Sequence, residues 1–487
     1  GKNPYFGEVA AVDAALGSLL SPLLEGRSPP TLVILTADHG EALGEHGEET
    51  HSLFAYEATL KVPLIVWFPT LVTPGGDARL ARHVDILPTI AGVTAIPRAS
   101  QWPGASLLAP PARPPGDASY FESFSAAYNY GWAPLRGVVA DGYKFIDLPL
   151  PELYDLKTDP SERENLFARR SAEARGLRRR IPAESAIDTA ARSRPDSEAA
   201  ERLRSLGYLS GSAAVLKSYT AADDPKRLVG VNRDMYRYVE LYQRGDLSGA
   251  TTLARKVVRE RPTMALAYVH LAFLLRRQNE SAAALEVYRA AASRGIANEE
   301  LTVHYGLTLC EVGRPGEAVK LLRRFSDSPE PNTLNALGIA LADSEHRPEA
   351  IEIFQRVLRL DPENVEAHEN MGVVHLRSEN FSGARDSFRR AVAIDERTPR
   401  AWNGLGVALA RLGDRQGAIA AWSRSVALDP TMYEVLFNLG LTAAQAGLLQ
   451  QAQDALERFI STAPPARYGA DIAEAHRVLK SLGLGGH

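Results

Sequence analysis

Apolar side chains recur at a fixed stagger from the first residues. Tyr5, Val9, Val12, Leu16, Leu19 and Leu23 fall three or four residues apart, the spacing of one helix face. A nearly unbroken apolar run follows at 31–36. A second, Val62-Pro-Leu-Ile-Val-Trp-Phe68, comes after an acidic, glycine-broken loop. A helix followed by continuous apolar runs predicts an α/β domain whose strands are parallel and covered on both faces. From 118 to 155 the pattern shortens. There RGVVADGYKFIDL sets Asp141-Gly142 between two β-rich runs, which predicts a hairpin. Residues 108–116 (LAPPARPPG) read as a Pro-rich surface connection. Residues 161–224, rich in Arg, Ala, Glu and Ser, read as a charged helical linker with a loop near Ser210-Gly-Ser.

Beyond residue 220 the pattern becomes periodic. Small side chains stand at Ala250, Ala284, Ala318, Ala350, Ala384, Ala418 and Ala452, at steps of 34 residues with one of 32. Twelve residues before each stand Tyr238, Ala272, Gly306, Gly338, Gly372, Gly406 and Gly440. Four after stand Ala254, Tyr288, Leu322, Phe354, Phe388, Trp422 and Leu456. Small residues let two helices approach, a bulky one fills the gap a turn later, and each pair buries its apolar face on the next. The pattern resembles the tetratricopeptide repeat. That implies an all-α solenoid of about seven units over 223–464, with a capping helix and tail in 465–487. Such an array offers a concave surface to a protein or peptide partner. Asn335, Asn370, Asn403 and Asn438, two or three residues before the packing glycines, are the peptide contacts the resemblance suggests.

Composition sets bounds. A chain of 487 residues, 45% hydrophobic and 23% charged, is too long for one ordinary domain. A net charge of -4 and the lack of a basic stripe give no pull towards nucleic acid. No apolar run approaches membrane-spanning length. Cys310 is the one cysteine, so no intramolecular disulfide forms. The chain opens at Gly1 inside a helical pattern, and an N-terminally truncated fragment is expected.

The apolar run 31–36 is soon followed by Asp38, His39 and Gly40. A carboxylate and an imidazole at the C-terminal end of a parallel strand sit where α/β sheets bind ligands. Both can hold a divalent cation; the alternative is a helix cap and a packed histidine. Gly40 is expected to let the backbone turn sharply away. Glu41, Glu45, His46, Glu48 and Glu49 read as a solvated loop and helix face, and His83 and Asp85 as a structural helix start.

The segments YFGEVAAVDAALGSLL, TLVILTADHGEALGEHG, YEATLKVPLIVW, RHVDILPTIAGV, GYKFI and ELYDLKTDPSERENL follow one another over residues 1–167. In that order they resemble the C-terminal portion of a sulfatase, in the alkaline-phosphatase superfamily. The resemblance implies a partial alkaline-phosphatase-like sheet with a small antiparallel C-terminal subdomain, ahead of a linker at 168–222. It implies that Asp38 and His39 ligate a calcium ion that neutralises sulfate oxygens. It also places His51 about one residue from a lysine that faces the sulfate in many members, making His51 the candidate acid or hydrogen-bond donor.

The family's formylglycine precursor, Cys-x-Pro-x-Arg, is missing. Cys310-Glu-Val-Gly-Arg314 has Val312 in place of the proline and falls at a repeat helix end, where an inert core thiol is expected. The expected function of the intact protein is hydrolysis of sulfate esters, with this chain unable to turn over alone. Two alternatives stay open. One is a phosphoesterase or phosphotransferase of the same superfamily, using Mg2+, Mn2+ or Zn2+ with His51 as a second-metal ligand. The other is a non-catalytic interaction protein built on the repeats. The family resemblance also implies a periplasmic or extracellular home.

Overall fold

The structure, a computed structural model, describes residues 4–24, 31–77, 79–97, 99, 101–108, 118–182 and 218–483. Most of the Pro-rich connection and the expected loop near Ser210 lie outside the described residues. Two compact units divide the chain, Gly1–Asp246 and Leu247–His487.

In the first unit the staggered stripe forms the helix Pro4–Leu24, with Phe6, Val9, Val12 and Leu19 exposed. Its stretch Pro4–Leu23 is long and apolar enough to cross a membrane by length and composition, against the expectation that no such run exists. Alanines, leucines and glycines fill the gaps between the stripe residues, leaving Glu8 and Asp13 as its charges.

The two apolar runs form β1 (Val33–Thr36) and β2 (Leu64–Trp67), paired antiparallel with Val33 opposite Trp67 and Thr36 opposite Leu64. This corrects the parallel, doubly covered arrangement expected for them. A parallel return needs a crossover of about a dozen residues or more, usually a helix laid along the sheet. The intervening 37–63 holds the turn Glu45–Gly47 and the one-turn helix Glu57–Leu60, neither long enough. Nor are both faces covered, since Ile65 stays 57% exposed.

The second sheet is an antiparallel meander in the order β3 (Ser119–Ser123), β4 (Leu135–Ala140), β5 (Tyr143–Asp147) and β6 (Glu152–Asp155). Asp141 and Gly142 both have positive φ, 57° and 86°, and join Ala140 to its partner Tyr143. That is the two-residue turn whose twist matches the strands. Val138, Phe145 and Leu153 pack with Ala174 and Leu177 of the helix Ser171–Arg178. The helix Pro225–Gln243 also belongs to this unit. Asp224 caps it through the Lys226 N–H (3.0 Å) and ties it to the sheet by accepting the Leu150 N–H (2.8 Å).

The second unit opens with Leu247–Glu260 and runs as paired helices, from Ala265–Arg277 with Ser281–Ser293 to Tyr433–Gln445 with Leu449–Thr462. Pro465–Ser481 closes it. The periodic alanines are fully buried. At Gly306, Gly338, Gly372, Gly406 and Gly440 an added Cβ would come within 2.5–2.8 Å of the bulky side chain sixteen residues on. Close packing therefore sets the period. The single 32-residue step has a local cause: Pro315–Leu322 stops short and finishes in the tighter turn Arg323–Phe325.

Candidate functional site

Asp38 and His39 lie just past the end of β1. The Gly40 N–H donates to the Thr59 carbonyl (2.8 Å), and a Cβ on Gly40 would sit 2.2 Å from the Ala58 carbonyl oxygen. Glycine is needed there for close passage of a second chain segment. The Asp38 carboxylate is 88% exposed and accepts the His39 N–H (3.0 Å). That bond, helped by the His39 imidazole, holds its carboxyl below the usual carboxylate range.

His39 Nδ1 donates to the Gly40 carbonyl (2.9 Å), the tautomer that leaves Nε2 as the basic nitrogen. Nε2 lies 3.7 Å from Asp38 Oδ2. Two ligands at right angles around a calcium ion stand about 3.3–3.7 Å apart. A histidine whose other nitrogen is fixed by a backbone carbonyl is also the usual form of a metal ligand. The pair therefore fits two positions on a cation. Among the described residues no three His, Cys, Asp or Glu side chains group to hold a metal ion, so Asp38 and His39 would supply part of a ligand set.

The loop between the strands is stitched shut by Ala42 N–H to Thr50 O and Gly44 N–H to Glu48 O, both 2.8 Å. Leu43, His46 and Ser52 have positive φ of 54°, 52° and 87°. Side-chain-bearing residues adopt that conformation at a cost of roughly 1 kcal/mol each. Glu48 helps hold the loop. It is buried and accepts the N–H groups of Leu53 (2.6 Å) and Phe54 (3.2 Å). Burial outweighs those bonds and pushes its carboxyl up to about 7, with Glu41 adding to the rise.

Glu41 is half-buried, 22% exposed, and accepts from His51 Nδ1 at 3.2 Å. Glu41 and Glu48 are thus not the solvated surface their sequence suggests. Turning 51–56 inward creates N–H donors that need partners. Glu45 and Glu49 are exposed. His46 stacks on Tyr56, ring centroids 3.6 Å apart and 11° from parallel.

His51 lies against His39, centroids 4.1 Å apart at 33°. Asp38, His39 and His51 are therefore brought to one place, with Glu41 as an unforeseen fourth member. Because the Glu41 carboxylate accepts a hydrogen bond from Nδ1–H, the basic nitrogen of neutral His51 is Nε2. His83 donates from Nε2 to the Ala37 carbonyl (2.8 Å) and holds the strand end. Asp85 is buried and accepts the backbone N–H groups of Arg82 and Ala105, both at 2.9 Å.

A buried lysine fixes the far side of the loop. Lys144 pairs with Glu162 (2.8 Å) and Glu57 (3.3 Å), while the Tyr56 hydroxyl donates to Glu152 (2.9 Å). These contacts join the Tyr56-Glu57 segment to the meander.

In the second unit Asn335 is buried and donates to Asn364 Oδ1 (3.1 Å), and Asn403 accepts from Trp422 Nε1 (3.2 Å). At the position three before the packing glycine, each thus makes a hydrogen bond to a neighbouring side chain. Asn370 and Asn438, two before, are half-buried. Cys310 is also half-buried rather than fully in the core. Burial, then Asp343 and Glu311, pushes its thiol up to about 12, the opposite of a nucleophile's surroundings.

A strand-end carboxylate and imidazole on a small α/β unit, followed by stacked helix pairs, define the class of molecule. Residues 2–96 match the family model described as Sulfatase. Residues 239–299, 335–399, 376–433 and 403–467 match the one described as Tetratricopeptide repeat. The chain therefore joins a sulfatase-family segment to tetratricopeptide repeats.

An N-acetylglucosamine-6-O-sulfatase of Bacteroides thetaiotaomicron is 30% identical over 177 residues, 34% of this chain and 32% of that one. Arylsulfatase K of Bos taurus is 30% identical over 183 residues, 34% of this chain and 33% of that one. A choline-sulfatase of Rhizobium meliloti is 29% identical over 171 residues, with coverage of 34% and 33%. The chain spans about a third of the length of the curated relatives it matches. A tetratricopeptide repeat protein from Parabacteroides merdae is a structural neighbour at TM-score 0.41 and 16% identity, covering 51% of this chain and 98% of that one.

Proposed function

We propose that the protein in its full length hydrolyses sulfate esters, with Asp38 and His39 supplying part of a calcium site and His51 serving the leaving oxygen. The observation that carries this reading is the convergence of Asp38, His39 and His51 at the end of β1, inside the sulfatase-matched residues. Calcium would neutralise charge on the sulfate oxygens. As an imidazolium, His51 donates from Nε2–H a hydrogen bond to the sulfate or a proton to the leaving oxygen, while Glu41 accepts from Nδ1–H and fixes its ring. Cys310 has no part in this chemistry. The repeats serve as a scaffold for a protein or peptide partner.

The test is side-by-side turnover of an aryl sulfate and an aryl phosphate by the full-length protein. Sulfate should be preferred, and Asp38→Ala and His39→Ala should each lower kcat by about a hundredfold or more. Retained sulfate hydrolysis in both variants would sink the metal assignment. A preference for phosphate would sink the substrate class.

A further inference from the structure

The helix Pro225–Gln243 carries Tyr238, the first of the periodic repeat positions, yet it folds with the sulfatase-like unit. Its N-terminal end is anchored to β6 and the turn before it. Asp224 is fully buried and accepts from Leu150, and Lys226 donates to the Leu150 carbonyl and lies 3.6 Å from Glu152. Glu152 in turn accepts the Tyr56 hydroxyl, and the Tyr56 ring carries His46.

One turn further, the Val229 methyls cover Gly47, whose φ is 83°: a Cβ there would meet Val229 at 3.4 Å. Two turns beyond that, the Tyr236 hydroxyl faces the Thr50 side chain, beside the charges of Glu48 and Glu41. Thr50 immediately precedes His51. The helix thus meets the loop at 47 and 50, beside the stretch where His46 and Gly47 have left-handed φ.

We propose that the helix Pro225–Gln243 is a working wall of the candidate site, with Val229 and Tyr236 as positioning residues that hold loop 47–51 and keep His51 against His39. A helix that bears a repeat position in the sequence is then a part of the hydrolase. An outside brace adds to the loop's own backbone bonds and the Glu48 carboxylate in holding its strained residues in place. Tyr236 touches no reacting atom in this scheme. It acts through Thr50 on the placement of His51.

This rests on the role proposed for His51, and the test keeps the two ideas apart. Tyr236→Phe removes one hydroxyl from a ring that is 49% exposed, so the fold should survive. Amide hydrogen exchange at residues 48–54 should speed up roughly tenfold in Tyr236→Phe and in Thr50→Val. The double variant should be no faster than either single one. Val229→Ala should act in the same direction. Exchange in the helices from Ala265 onward should not change.

In the full-length protein Tyr236→Phe should lower kcat for an aryl sulfate roughly tenfold with KM within about twofold, because substrate contacts stay intact. Unchanged exchange at 48–54 in both Tyr236→Phe and Val229→Ala would overturn the brace, whatever the enzyme hydrolyses. Faster exchange with kcat unchanged would overturn the role in positioning His51. Absence of sulfate turnover in the unaltered protein would sink the proposed function alone, and the exchange measurement would still decide the brace.

Discussion

Glu48 shows how one side chain can both build the site and make it pH-sensitive. Its carboxyl is buried, faced by Glu41 and Tyr236, and titrates near 7 instead of its ordinary 4.5. The folded state therefore holds the proton more tightly than the unfolded chain does. That contribution is full below pH 4.5 and is lost as pH rises through 7, roughly 3 kcal/mol in all. Urea-unfolding stability of the first unit, followed at the fully buried Trp132, should fall between pH 4.5 and 7 and level off above. Glu48→Gln should flatten that slope. A slope as steep in the variant as in the parent would remove Glu48 as its cause. Asp38 and His39 were legible in the sequence because they follow an apolar run at a strand end. Glu48 and Glu41 were not, because a run of Glu between glycines looks the same whether its carboxylates face water or cap inward-turning N–H groups. Lys144 and its partner Glu162 were hidden for a different reason: the pair joins a strand to a distant loop, and no local spacing announces it.

At the scale of elements, the repeats were legible because packing repeats with the chain. Phe388 has its ring between Gly372 and Gly404, where added Cβ atoms would lie 2.8 Å and 2.3 Å from it, and such contacts force small residues at fixed intervals. The backbone repeats too, in a way that side-chain types obscure. Asn279, Gly313, Glu345, Glu379, Gly413 and Gly447 all have positive φ at the turn inside each helix pair. Glycine reaches that conformation freely, but Glu345 and Glu379, at 65° and 56°, do so against their Cβ. Glu379→Gly should stabilise the array by about 0.5–1 kcal/mol, the relief of strain less the entropy glycine adds to the unfolded chain. Gly413→Ala, its counterpart one repeat on, should destabilise by about 1 kcal/mol. Thermal unfolding of the two variants decides the matter, and equal shifts of the same sign would show that the turn conformation is not what limits stability. The antiparallel pairing of β1 with β2 had no such signature. An apolar run of four to six residues reads alike in either direction, and what decides is the absence of a crossover helix in 37–63.

Taken whole, the chain holds in each of its two units a buried ionisable group, and the two respond to acid in opposite senses. In the first, Glu48 favours the folded state when protonated. In the second, burial lowers the His270 imidazole to about 4, with His304 adding to the effect. His304 is itself lowered by burial and by Arg276, against the pull of Glu300. A histidine whose folded value lies below its ordinary 6.5 takes up its proton more readily in the unfolded chain. Its contribution is full above pH 6.5 and is lost as pH falls through 6.5 towards 4. Acidification from pH 7.5 to 5 should therefore raise the stability of the first unit and lower that of the second. Trp132 reports on the first unit, and Trp402 and Trp422 on the second. Replacing Trp67, Trp102 and Trp132 with Phe in one sample, and both Trp402 and Trp422 with Phe in another, separates the two fluorescence signals. The unfolding midpoints should move apart in opposite directions between the two pH values. His270→Asn should remove most of the acid sensitivity from the second transition without touching the first. Midpoints that shift together would mean that the titration of these buried groups does not govern either unit. A lone shift of the first would mean that His270 does not govern the second unit.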